Sequence, residues 1–180
     1  PNHKIFGCSL QLLSEGRMGK GVVGGCRRAL SSSASPLMEY PIHVDIPVQW
    51  GDMDCFKHVN NVQYIKYFET ARIAHFRAFK DAVIENGDED KVDFDGFINA
   101  KSVGPILAST SCKYRFPVEF PDDLVACSRI PVDLIEKDRF TMQYMVWSKT
   151  HERVAAEGDG TIVMYDYQSG KKSIVSEALK

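Results

Sequence analysis

The sequence predicts an α+β domain in which one long helix lies against an antiparallel sheet. Three observations carry this reading. One alternating apolar segment precedes a long stretch with helical period. Four strand-like segments follow, and the last three are joined by tight polar links. Gly158 and Gly160, on one face of the last segment, leave room for another element to come close.

Taken in order, the chain alternates from Tyr40 onward. Val44, Ile46, Val48 and Trp50 are apolar, while His43, Asp45, Pro47 and Gln49 fall between them, the pattern of a strand with one buried face. Pro47 has no N–H for a ladder, which assigns this strand to a sheet edge. Gly51-Asp52-Met53-Asp54 ends it. Ile65, Phe68, Arg72, Phe76 and Phe79 then step by three or four, with Tyr64 and Ala71 widening the stripe, so a helix is predicted from 60 to about 85. Asn60 and Asn61 suit its N-cap, and Asn86-Gly87 suits its end. Residues 88–95 are acidic and turn-rich and read as a solvated loop. Segment 106–116 alternates, with Ser109, Ser111, Lys113 and Arg115 on one face. Phe120-Pro121-Asp122-Asp123 is a turn. Segments 124–135, 140–148 and 153–167 are linked so tightly that they must form an antiparallel meander. Gly158 and Gly160 share a face with Ala156, Ile162 and Met164, where the long helix is expected to approach. No internal repeat is visible.

Composition narrows the class. The 180 residues hold 22 Lys+Arg against 24 Asp+Glu, and 44% are hydrophobic, enough for one domain with a proper core. A net charge of −2 gives no electrostatic case for nucleic acid as a partner. No apolar run approaches the roughly 20 residues of a membrane span. Five cysteines, an odd number in a chain of this size, argue against a disulfide framework and for a reducing compartment. The near-neutral total hides an asymmetry: residues 1–38 carry five cations against Glu15 alone, and six of the 13 glycines. That basic, Ser-rich composition is expected of a transit-peptide-like or flexible leader, followed by a folded domain over 39–180. It points to a mitochondrial address, with plastid or cytoplasm as alternatives. Gly19-Lys20-Gly21-Val22-Val23-Gly24 matches G-x-G-x-x-G, but neither a strand before it nor a helix after it can be read. No dinucleotide, and no other cofactor, is expected.

Chemistry concentrates in Trp50-Gly51-Asp52-Met53-Asp54-Cys55-Phe56-Lys57-His58-Val59-Asn60-Asn61, between a strand end and a helix start. The free N–H groups of a helix N-terminus suit a developing oxyanion. A carboxylate held just before them could attack a carbonyl carbon or activate a water. Other readings compete. Asp52, Asp54 and His58 could hold a metal, but the expected calcium-loop Gly and terminal Glu are missing, and no metal is expected. Phosphoryl transfer from Asp-x-Asp wants a parallel sheet. Cys55 as nucleophile would need His58 as its base. The two aspartates could also be no more than turn and capping residues.

Trp-Gly-Asp-Met-Asp-x-Phe-x-His-Val-Asn-Asn-x-x-Tyr, continuing to Tyr67-Phe68-Glu69-x-Ala71-Arg72, resembles the signature of the 4-hydroxybenzoyl-CoA thioesterase family. Tyr114-Arg115-Phe116-Pro117-Val118-Glu119-Phe120-Pro121-Asp122 resembles that family's second landmark. The resemblance covers about residues 40–168. It implies the hotdog fold, a five-stranded antiparallel sheet wrapped around one long central helix, and hydrolysis of acyl-CoA thioesters without a cofactor. It places Asp54 on the catalytic carboxylate and Asn61 where the thioester carbonyl is polarised, with His58 in the catalytic set or in a structural hydrogen bond. Val59, Asn60 and Tyr64 fall beside the substrate, and Lys57, Lys113 and Arg115 are candidate contacts for the CoA phosphates. Asp52 looks supportive, and Glu69, about 12 Å further along the helix, is a weaker candidate. A homodimer or homotetramer is implied. An enoyl-thioester hydratase or dehydratase, or a non-catalytic acyl-thioester binding module, would use the same fold; the Asn-Asn pair, where a second base would be wanted, counts against the former.

Overall fold

Helix α1 (Asn61–Glu85, 25 residues) organises the domain, and both of its ends are fixed by local chemistry. The Asn60 side chain accepts a hydrogen bond from Val62 N at 3.1 Å, which satisfies one of the orphan donors of the first turn. At the other end Gly87 takes φ +70°, Gly87 N bonds Ile84 O at 3.0 Å, and Asp88 N bonds Val83 O at 3.0 Å. This is a Schellman stop, and it needs a residue that adopts the left-handed region without strain. Tyr64, Tyr67, Phe68, Ala71, Phe76 and Val83 form the buried stripe.

The computed structural model describes residues 35–177. The expected leader lies outside the described residues except for its last four positions, as does the G-x-G-x-x-G match. Strands β1 (Ile42–Pro47), β2 (Val103–Thr110), β3 (Lys113–Tyr114), β4 (Asp123–Arg129), β5 (Arg139–Ser148), β6 (Arg153–Asp166) and β7 (Lys171–Lys172) form one sheet. The five long strands run in the order β1-β4-β5-β6-β2, all antiparallel, and the two-residue strands β3 and β7 pair with β6. The sheet curls over α1, which packs on β1, β4 and β5. This is the hotdog fold. Phe68 of the helix stacks on Tyr144 of β5 with ring centroids 5.0 Å apart, at the centre of the core. Ahead of β1, Leu37 and Tyr40 pack over a smaller cluster of Val125, Cys127 and Met145 on the other face.

Pro47 lies in edge strand β1, paired only with β4, as the sequence implies. Pro105 occupies the opposite edge strand, β2.

Four expectations are corrected. Residues 88–95 do not form one loop: a 3-10 turn (Glu89–Lys91) leads into a second helix, α2 (Phe94–Asn99), capped by the Asp93 side chain on Gly96 N at 2.9 Å. The alternating segment 106–116 is divided. A register shift between Leu107 and Ser109 and a break after Thr110 separate β2 from β3. Segment 124–135 stops at Arg129, because Pro131 cannot donate to a ladder and a 3-10 turn (Val132–Leu134) follows it. Trp50 is not on the buried face. Strand β1 ends at Pro47, Trp50 opens a 3-10 turn, and its ring is 73% exposed with an edge-on contact to Phe120. The close approaches at the two glycines come from different sources. A Cβ on Gly158 would clash with Ser111 O and meet the Phe68 ring of α1 at 2.6 Å. One on Gly160 would meet the Tyr144 hydroxyl of the neighbouring strand at 2.8 Å.

Candidate active site

The loop between β1 and α1 is tied down by backbone and carboxylate bonds. Asp52 accepts from Gln49 N at 2.8 Å and from the Tyr67 hydroxyl at 3.3 Å through Oδ2, and its carbonyl accepts from Asn60 N at 2.8 Å. Asp52 therefore fastens the loop to the first two turns of the helix. Burial and the Asp52 charge together push the Tyr67 phenol upward. Asp54 closes the next turn: Oδ1 accepts from Phe56 N at 2.8 Å, its carbonyl accepts from Lys57 N at 3.0 Å, and its N–H donates to His58 O at 2.9 Å. Lys57 takes φ +66° to complete that turn. Oδ2 of the half-buried Asp54 has no protein partner among the described residues.

At the start of α1 the three leading N–H groups differ. Val62 N is capped by the Asn60 side chain and Gln63 N bonds Asn60 O, whereas Asn61 N has no partner among the described residues. One donor thus stays open at the positive end of a 25-residue helix.

A cavity of about 300 Å³ opens at this point, and His58, Val59, Asn61, Tyr64 and Arg115 line it. Tyr114, Phe116 and Pro117 complete its wall. The Tyr114 hydroxyl donates to Asn61 O at 3.2 Å, fixing the far wall against the helix start. Tyr64 is buried, and its burial pushes the phenol up to about 12, so it stays protonated. Val59 belongs to the core, with Val59 N bonded to Val118 O at 2.8 Å. His58 Nε2 lies 3.6 Å from Glu119.

The other candidates are placed differently. The amide oxygen of Asn60 is used in the cap. Arg115 is engaged by Glu157 at 2.6 Å. Lys57 and Lys113 are exposed and do not line the cavity. Glu69 pairs with Arg72 at 3.4 Å and borders a separate hollow on the helix. Asp52, Asp54 and His58 bond different partners, and among the described residues no three His, Cys, Asp or Glu side chains are grouped to hold a metal. Cys55 is an exposed free thiol, while Cys127 is buried and its thiol is pushed up to about 12. Reading by residue type overlooked Tyr67 and the aromatic wall of Tyr114 and Phe116. The second landmark motif contains that wall, and the helical step from Tyr64 to Tyr67 faces Asp52.

The family profile described as the Thioesterase-like superfamily matches residues 48–180. No curated protein matches the sequence. Among solved structures, a thioesterase superfamily protein from Jannaschia is similar at 20% identity, covering 77% of this chain and 78% of its own, with a TM-score of 0.61. The 1,4-dihydroxy-2-naphthoyl-CoA thioesterase from Synechocystis is 14% identical, with coverage of 77% and 91% and a TM-score of 0.58. A thioesterase from Thermus thermophilus, solved with coenzyme A and zinc, is 21% identical, with coverage of 78% and 94% and a TM-score of 0.57. By its sequence over most of its length, the chain belongs to the Thioesterase-like superfamily.

Proposed function

We propose that the protein hydrolyses acyl-CoA thioesters to the free acid and CoA, in the manner of the 4-hydroxybenzoyl-CoA thioesterases. The observation that carries the reading is the open Asn61 N–H at the helix start, in the cavity entered from the loop that holds Asp54; Asp54 Oδ2 is unengaged, though Asp54 is not itself among the cavity's lining residues. The thioester carbonyl oxygen is assigned to Asn61 N, where charge developing on it meets the helix dipole. Asp54 then acts in one of two balanced ways. As nucleophile it bonds the carbonyl carbon and expels CoA thiolate, and water hydrolyses the resulting anhydride. As general base it takes a proton from the water that attacks. His58, beside Glu119 on the cavity wall, is assigned to orienting the loop.

CoA release from a panel of acyl-CoAs, followed with a thiol-reactive dye, is the test. Asp54→Asn should lower kcat by about a thousandfold or more with an unchanged circular dichroism spectrum. An active, folded Asp54→Asn enzyme would overturn the assignment. Single turnover in H₂¹⁸O tests the nucleophilic route, since label in the Asp54 carboxylate requires that Asp54 attacked and that water then opened the anhydride at the Asp54 carbonyl. Arg115 is compensated by Glu157, which leaves Lys57 and Lys113 as the cations free to meet CoA phosphates. Lys113→Glu should raise KM severalfold with kcat nearly unchanged.

Two further parts of the reading concern the whole chain. Residues 1–38 are proposed as a mitochondrial leader, tested by fusing them to a fluorescent protein. A homodimer or homotetramer is proposed on the family resemblance, and light scattering that gives a monomer would contradict it.

A further inference from the structure

A second cavity, of about 470 Å³, lies further along α1, where α2, β2 and β6 close over the helix, and it shares no lining residue with the pocket at Asn61. The apolar part of its wall is built from Phe76 of α1, Phe97 of α2, Leu107 of β2 and Ile162 of β6, and charged side chains make up much of the rest. Phe76 and Phe97 meet edge to face at 5.3 Å, so α2 is held firmly as one wall. Into this apolar space comes Arg72. Its side chain is only 11% exposed, and its one ion-pair partner among the described residues is the largely exposed Glu69 at 3.4 Å. A guanidinium withdrawn from water in apolar surroundings is costly unless it is paired. Beside it lies the buried Tyr144 hydroxyl, which the guanidinium approaches without completing a well-formed hydrogen bond. Two more cations, Arg77 and Lys80, border the same space without ion pairs among the described residues. The one carboxylate in the lining, Asp95, is already held by Lys101 at 2.7 Å and by Asn99 at 2.6 Å. The cavity therefore offers hydrocarbon contact together with three cations that Glu69 and Asp95 only partly balance.

We propose that this cavity binds an apolar chain or ring that bears a carboxylate, with the carboxylate paired to Arg72. An Arg–carboxylate pair is planar and bidentate, and the apolar walls take the rest of the ligand. The proposal stands on the cavity alone and does not depend on the thioesterase reading. The ligand has two possible sources with one chemistry: a free carboxylic acid, or the distal end of a dicarboxylic acyl thioester. Arg72 lies eleven residues beyond Asn61, about 16 Å along the helix. An extended chain of about fourteen carbons spans that distance at about 1.2 Å per bond.

Isothermal titration of the full chain with decanoate and with decan-1-ol tests it. Decanoate should bind saturably, and the alcohol about tenfold or more weaker, because it cannot pair with the guanidinium. Arg72→Met should abolish that discrimination. Leu107→Trp, which fills the cavity without changing its charge, should weaken both ligands. The exposed double variant Arg77→Gln/Lys80→Gln should lower decanoate affinity severalfold, and it serves in place of Arg72→Met if the latter does not fold. Equal affinity for acid and alcohol, or decanoate binding unchanged in Leu107→Trp, would overturn the proposal. Comparing tetradecanedioyl-CoA with tetradecanoyl-CoA identifies the source. A preference of about tenfold in kcat/KM for the diacid thioester, lost in the cavity variants, assigns the cavity to the acyl end. Decanoate binding that leaves the KM of both thioesters unchanged assigns it to a free acid. Failure of either thioester to turn over bears on Asp54 and leaves the titration with decanoate intact.

Discussion

At the scale of single residues, Asn60 and His75 show how one polar group can be given a fixed part. Asn60 caps α1 and so determines which first-turn N–H remains open. Asn60→Ala should cost about 1 kcal/mol, lowering the melting temperature by about 4 °C in calorimetry. His75 sits half-buried on α1, with Nδ1 3.0 Å from Ser128 Oγ, and Ser128 in turn donates to Ala71 O at 3.1 Å. The hydroxyl proton is committed to that carbonyl, so His75 is the donor through Nδ1 and its Nε2 is left unprotonated. Burial holds the imidazole below its ordinary value. In the unfolded chain it takes a proton near pH 6.5, whereas the folded chain does not, so folding loses stability as the pH falls through that region. The urea midpoint should drop between pH 7.5 and pH 5.5, and His75→Gln should show a smaller drop.

At the scale of elements, β6 is the strand on which the fold depends for close contact. Gly158→Ala would place a methyl group against Ser111 O, a backbone atom that cannot rotate away, and against the Phe68 ring. It should destabilise by about 2 kcal/mol, read as a lower urea midpoint at unchanged slope. The same scale shows what was legible in the sequence. Helix α1 could be read nearly to the residue, because an asparagine cap and an Asn-Gly stop are local signals that packing rarely overrides. The alternation of β1 and the order of the meander could be read for the same reason. Helix α2 could not: its six residues span under two turns, and the aspartates around them resemble a solvated loop until Asp93 is seen to cap Gly96. The break between β2 and β3 also left no mark, since a register shift keeps local alternation while moving the partner strand. For the candidate site, the motif located the loop and helix start. Which groups line the cavity depended on chain segments more than 50 residues apart, as with Tyr114 and Asn61.

At the scale of the whole molecule, charge and shape distinguish the start of α1 from its middle. The start of the helix presents an open donor beside a carboxylate loop, and its middle presents a half-closed apolar chamber edged with cations. Among the described residues no helix is long and apolar enough to cross a membrane. If substrate enters at the helix start, salt should weaken its capture, since the phosphates of CoA would be met by exposed lysines. Raising ionic strength from 50 to 500 mM should increase KM severalfold and leave kcat alone.

Proline in both edge strands has a consequence for how this protein behaves when crowded. A curled sheet with two bare rims would recruit further strands, and each addition would expose a new rim to recruit the next. Here Pro47 closes one rim at its end and Pro105 interrupts the other, so each rim loses a donor. Growth by strand addition is blunted in both directions, and a concentrated solution should stay free of thioflavin-positive fibres. Replacing both prolines by valine should make fibres appear, because each rim would then regain the donor that the proline removes.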